Sequence, residues 1–118
     1  MKRVAFAFLI TLLAAVSVVY ASGDSWFGVA FKIEADGLFN ATVHSIEVEK
    51  VFPASPAAQA GLRPGDVVLG IEGLTVAGAS ADELKKAMNK PVGATLRLKI
   101  KRGSSEPHEF TLIAARKP

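Results

Sequence analysis

Residues 55–73, SPAAQAGLRPGDVVLGIEG, constrain the fold more tightly than any other stretch, because each punctuating residue stands where a short helix, a tight turn and a buried strand require it. Ser55 can cap a helix whose first residue is Pro56, since proline has no N–H to leave unsatisfied there and its fixed φ already suits the helix. Gly61 then closes that helix in the left-handed conformation, which a side chain disfavours. Pro64 and Gly65 make a turn, proline presetting φ and glycine supplying a positive one. Residues 66–72 read as a strand. The order is therefore a helix of one or two turns, a turn, a strand and a turn.

The chain opens with Lys2 and Arg3 and continues through a mainly apolar run from Val4 to Tyr20, reaching Val19, Tyr20 and Ala21 before Ser22. A positive start, an apolar run of this length and small residues before the boundary predict a secretory signal, residues 1–21, cleaved after Ala21. The alternative is an uncleaved anchor, because ~18 to 20 apolar residues just span a bilayer. With no cysteine, neither a lipid attachment nor a disulfide is available. Removing 21 of the 118 residues leaves 97, room for one domain able to bury roughly 60 to 70% of its unfolded surface. The net charge of +3 includes Lys2 and Arg3, so the remainder carries twelve basic against eleven acidic residues. That balance gives no electrostatic footprint for nucleic acid, and the cluster Lys99, Lys101, Arg102 reads as a solvated strand end.

Along the mature part, residues 26–33 (WFGVAFKI) read as a first strand with Phe27, Val29, Phe31 and Ile33 on one face. Residues 34–42 read as a loop, in which Leu38 and Phe39 are more apolar than a loop needs and are expected to pack back. Residues 46–52 read as a strand whose phase slips across Glu49 and Lys50, the mark of a bulge. Ser80 to Glu83 has the form of a capping box, and the helix that follows, to about Asn89, carries one stripe through Leu84, Ala87 and Met88. Residues 95–101 (TLRLKIK) and 109–115 supply the last strands.

These features together resemble bacterial PDZ domains, over about residues 24–115 of a domain placed at 22–118. The resemblance implies an α+β fold, a small partly open antiparallel β-barrel or sandwich of five to six strands with two α-helices. It also implies a site. The Trp26-Phe27-Gly28-Val29 segment matches the family's loop that binds a partner's terminal carboxylate through backbone N–H groups, so Phe27, Gly28 and Val29 are the expected carboxylate-binding residues. An anion caught this way needs converging backbone donors, and Gly28 allows the unusual φ and close approach that this requires. The strand through Ala30 and Phe31 would offer a free edge to an extended peptide. The helix bearing Ala81, Lys85 and Met88 would form the other wall, with Trp26, Phe27, Val29, Phe31 and Met88 around the pocket for the last side chain. Two departures stand out. Ala81 replaces the histidine that many members use to bind a hydroxyl-bearing ligand, and Asp24 precedes the loop where a cation would help.

Catalytic alternatives are poorly supported. His44 and His108 are the only imidazoles, Ser45 adjoins His44 on a strand where neighbours face opposite ways, and no hydrolase, nucleotide or zinc motif occurs, so no catalytic residue, metal or cofactor is expected. The expectation is an exported adaptor or regulatory module, periplasmic or secreted, that binds protein C-termini or extended segments by strand addition. Its partners would be envelope proteins such as a protease or secretion component, with no nucleic acid, and a membrane only if the N-terminal segment is retained. The alternatives are a regulatory domain of a serine protease or secretion complex, and a scaffold whose groove is filled by Leu38 and Phe39.

Overall fold

The structure, a computed structural model, describes residues 25–118. The signal or anchor expected at residues 1–21, and Asp24, lie outside the described residues. The elements are β1 (Ser25–Trp26), β2 (Val29–Asp36), β3 (Thr42–Val51), α1 (Pro56–Ala60), β4 (Val67–Ile71), β5 (Leu74–Thr75), α2 (Ala81–Met88), β6 (Thr95–Lys101), β7 (His108–Ile113) and β8 (Ala115–Arg116). Six strands form one antiparallel sheet in the order β2-β3-β4-β6-β7, with β5 paired to β4. Its two ends, β2 and β7, do not pair, so the barrel stays open, as expected of an α+β fold with two helices. β1 and β8 add a separate two-stranded pair, Ser25 with Arg116 and Trp26 with Ala115, that the sequence reading did not contain.

The short helix α1 forms for the reasons its punctuation suggests. The Ser55 hydroxyl accepts from the Ala58 N–H at 3.1 Å. Gly61, at φ 92°, closes the helix: its N–H donates to the Ala58 carbonyl and the Leu62 N–H to that of Ala57, the paired bonds of a glycine-terminated helix. On α2 the Ser80 hydroxyl accepts from the Glu83 N–H at 3.0 Å. Among the described residues no helix is long and apolar enough to cross a membrane.

Period two delivers the core. Leu96, Leu98 and Ile100 of β6 are buried between exposed Thr95, Arg97 and Lys99, and meet Val68 and Ile71 of β4, Leu112 of β7 and Leu84 of α2. Each fully buried aliphatic side chain contributes about 1.5 to 3 kcal/mol. On β3 the buried residues are Val43, Ile46 and Val48, and the strand carries two register shifts against β2, of which the one between Val43 and Ser45 makes that spacing uneven. Lys50 sits opposite Ala30 but Val48 opposite Phe31, which leaves Glu49 as an extra residue, the bulge expected there. A second shift, between Ser45 opposite Glu34 and Val43 opposite Ala35, leaves His44 extra.

That second bulge belongs to a correction. Residues 34–42 are not a loop throughout: β2 continues to Asp36 and β3 starts at Thr42, because Glu34, Ala35 and Asp36 pair with Ser45, Val43 and Thr42. Glu34, Ala35 and Asp36 are all exposed, so this end of β2 shows no alternation. Nor do Leu38 and Phe39 pack back; they stand at the hairpin tip 94% and 91% exposed. Ile33, on the same face of β2 as Val29 and Phe31, is exposed as well.

Arg102 is a further correction, since it is no solvated strand end. Its Nε and Nη2 donate to the two carboxylate oxygens of Asp66 at 2.8 Å each, and Nη2 also to the Gly61 carbonyl at 2.8 Å. Asp66 is 1% exposed and accepts in addition from the Arg63 N–H at 2.9 Å. The Arg102 guanidinium holds the Asp66 carboxyl below the usual carboxylate range, against the opposing effect of burial and with help from Arg63. The clamp fastens the end of β6 to the close of α1. Glu72 and Gly73, at φ 51° and 82°, link β4 to β5 in the tight turn that suits a two-residue hairpin. The Arg97 N–H donates to Glu72 at 2.8 Å, which lowers that carboxyl against its desolvation, with Lys90 and Arg97 at 3.6 Å adding their charge.

Candidate functional site

The loop between β1 and β2 is Phe27 and Gly28, and its backbone is held from one side. The Phe27 carbonyl accepts from the Ala57 N–H at 3.0 Å, satisfying one of the amides that the start of α1 would otherwise leave free. The Gly28 carbonyl accepts from the Phe52 N–H at 2.9 Å and lies 3.4 Å from the Ser55 hydroxyl. Both carbonyls are thereby turned toward α1. The amides of Phe27 and Gly28 donate none of the backbone hydrogen bonds made outside helices and strands by the described residues. Gly28 is buried at φ 74°, and a Cβ built there would lie 2.0 Å from the Ser55 Cβ. The glycine is thus required by the packing of the loop on Ser55, as well as by its φ. Ser55 therefore has a second task, beyond capping, that its sequence position does not reveal; a buried glycine at positive φ is the only local signal of such a neighbour.

The other expected residues fall around this loop. Trp26 is pinned by β8, and its ring tilts at 46° onto Phe52 with centroids 6.2 Å apart. Phe27, Val29 and Phe31 are half-buried and pack on the hydrophobic core, and Ala81, Ala87 and Met88 of α2 pack on that same core. Both sets pack on one core cluster. Lys85 is exposed. Ala30 pairs with Lys50, and among the described residues β2 lies at the edge of its sheet, paired with β3 alone. The start of α2 is tied to the start of β3: the Ala81 N–H donates to the Ala41 carbonyl at 2.9 Å and the Val43 N–H to the Ala79 carbonyl at 2.8 Å. Since Thr42 in turn faces Asp36, α2 begins at the hairpin end of β2.

A depression of about 670 Å³ lies elsewhere, among β3, β4, β5 and β6, lined in part by His44, Ser45, Arg97, Lys99 and His108 and by none of the residues named above. His44 and Ser45 both reach it, contrary to the strict alternation expected, because the extra residue at His44 breaks the pleat. The arrangement does not pair a base with a nucleophile: the His44 Nε2 lies 2.6 Å from an Asp36 carboxylate oxygen, on the exposed surface, and no hydrogen bond joins it to Ser45 among the described residues. Among the same residues no group of three potential metal-ligating side chains comes together.

Residues 47–102 match the family model described as PDZ domain. The chain is 44% identical over 52 residues to a probable CtpA-like serine protease of Staphylococcus haemolyticus, a match covering 44% of this chain and 10% of the protease. It is 35% identical over 74 residues to the carboxyl-terminal-processing protease of Synechocystis, covering 62% of this chain and 17% of the protease. The chain thus spans under a fifth of the length of these curated relatives. Among solved structures, the PDZ domain of the carboxy-terminal protease from Vibrio cholerae, in complex with peptide, superposes with a TM-score of 0.62 at 19% identity, covering 80% of this chain and 97% of that domain.

Proposed function

Since the chain carries a PDZ domain of the bacterial type, we propose that it is a binding module that takes up protein C-termini or extended peptide segments by strand addition along β2. The observation that carries this is the outer edge of β2, unpaired among the described residues, which starts at a loop whose carbonyls are committed to Phe52 and α1 and whose Phe27 and Gly28 amides donate none of the described loop hydrogen bonds. An extended peptide antiparallel to β2 would place its terminal carboxylate at Phe27, Gly28 and Val29, and its last side chain among Phe27, Val29, Phe31 and Met88. Ala81 offers no hydrogen-bonding group, so the ligand's third-last residue is apolar rather than hydroxyl-bearing. A few backbone hydrogen bonds at ~0.5 to 1.5 kcal/mol net and one buried side chain at ~1.5 to 3 kcal/mol, set against the cost of ordering the peptide, give micromolar affinity.

The module is exported and acts on envelope partners as an adaptor or regulator, with no chemistry of its own. That the relatives are serine proteases favours one second reading, a regulatory domain that works beside such an enzyme. An NMR titration with peptides ending in an apolar residue tests the first reading. Shifts concentrated on residues 27–33 and 81–88 support it; shifts confined to the depression around His44 and His108 would refute it.

A further inference from the structure

One face of the sheet carries the core and α2; the other holds the depression. Val68, Ile71, Leu96, Leu98 and Ile100 share a core cluster with Leu84 of α2, whereas the depression of about 670 Å³ is lined by no residue of α1 or α2. A bulge shapes its floor. Val68 pairs with Ile100 and Gly70 with Lys99, so Leu69 is an extra residue, and Leu69 and Gly70 both line the depression. Gly70 is buried and is not among the positive-φ glycines, so its backbone conformation does not call for glycine. A Cβ there would stand 3.2 Å from the Leu74 carbonyl oxygen and 3.5 Å from the Lys99 Cβ. A glycine inside a strand marks a close approach, and this one leaves an apolar hollow between Leu74 and Lys99, beside half-buried Val67 and Leu69.

The rim of this hollow is cationic. Arg97, Lys99 and Lys101 stand at alternate positions of β6, about 7 Å apart, and the first two line the depression. Arg97 and Lys90 share one carboxylate, Glu72, at 3.6 Å each, while Lys99 makes none of the ion pairs found among the described residues. The acidic residue in the lining is Glu109, opposite Lys99 on β7. Positive charge is thus in excess beside an apolar floor. We propose that the depression is a second binding site, separate from the peptide groove, for an acidic segment of a partner protein. Its carboxylates meet Lys99 and Arg97, and one apolar side chain enters over Gly70 and Leu69. The volume lies within the roughly 300 to 1,000 Å³ of ordinary ligand sites. A flat anionic membrane reaches the cations but not the recessed floor, whereas a single side chain reaches both. The module thereby holds two segments at once, one in the groove and one on the opposite face of the sheet.

An NMR titration with an acetylated and amidated probe peptide, Leu-Ser-Glu-Ser-Glu between glycine-serine flanks, tests this. In an extended segment the leucine and both glutamates face one side, and amidation removes the carboxylate that the groove would take. Saturable shifts are expected on residues 67–77, 97–99 and 107–109. Replacing the probe's leucine by serine should weaken binding about fivefold, the gain from partly burying one aliphatic side chain. Lys99→Glu exchanges an attraction for a repulsion and should weaken it about tenfold, while Lys117→Glu, the same change of net charge outside the lining, should leave it unchanged. The absence of saturable shifts there, shifts confined to residues 27–33 and 81–88, or an equal loss from both variants would overturn the proposal. So would a probe that does not bind together with co-sedimentation on phosphatidylglycerol vesicles that Lys99→Glu abolishes, since the face would then serve a membrane. No groove residue takes part, so a failure of strand addition along β2 leaves this proposal standing, and the reverse holds as well.

Discussion

Replacing Gly28 by alanine perturbs the loop through two separable effects. The residue sits at φ 74°, where a Cβ costs ~1 to 2 kcal/mol for an L-residue. The new atom would also lie 2.0 Å from the Ser55 Cβ, so one of the two backbones must move, and forced overpacking of this kind costs typically ~1 to 3 kcal/mol. Together the expected loss is ~2 to 5 kcal/mol. Ser55→Gly by itself should cost little, since glycine is an acceptable helix cap within a few tenths of a kcal/mol and the Ser55 hydroxyl bond to Gly28 is long at 3.4 Å. The double variant removes the colliding atom but retains the φ penalty, so it should lose less than the two single variants added together, by ~1 to 3 kcal/mol. Urea denaturation of the four proteins measures that coupling. Additive effects, or a Gly28→Ala variant within about 0.5 kcal/mol of the parent, would show that the loop does not rest on Ser55.

Gly61→Val and Gly65→Val should each cost ~1 to 2 kcal/mol of stability and so lower the denaturant midpoint, from left-handed φ alone at Gly65, where an added Cβ meets nothing within 4 Å; a neutral result would contradict the helix-end or turn assignment. Because Asp66 and Glu72 have folded-state values below their unfolded ones, the stability they provide is complete only above the unfolded values, from roughly pH 5 upward, and is lost as pH falls through the folded values. Arg102→Met should lower the midpoint at neutral pH and flatten the acid limb, and unchanged acid sensitivity would mean that the clamp is not its source. N-terminal sequencing of protein recovered from the envelope should begin at Ser22, whereas intact Met1 in a membrane fraction would establish an anchor.

The parts of the fold readable in the sequence are those that local chemistry decides. Ser55, Pro56 and Gly61 bound α1, Ser80 starts α2, TLRLKIK alternates into the core, and the broken phase of β3 marks the bulge at Glu49. What escaped depends on partners far along the chain. β1 and β8 are two residues each and pair across ninety positions, too short for any period. Arg102 finds Asp66 thirty-six residues away, and a basic run at a strand end looks the same whether solvated or clamped. The outer half of β2 is exposed on both faces, so nothing in its hydropathy distinguishes strand from loop. At the candidate site, the family resemblance points to Phe27, Gly28, Val29, Phe31 and Met88, but the support of the loop by Ser55 and Phe52 is a matter of packing alone.

Amidation of the ligand tests the central proposal most directly, because it removes the terminal charge while keeping strand pairing and the last side chain. Two peptides of identical sequence, one a free acid and one an amide, are titrated into the protein by calorimetry. Hydrogen bonds to a charged group contribute ~1.5 to 3 kcal/mol, so the free acid should bind tenfold tighter or more if its carboxylate sits on the amides of Phe27, Gly28 and Val29. Equal affinities would contradict a carboxylate site at this loop and leave β2 as an edge for internal segments.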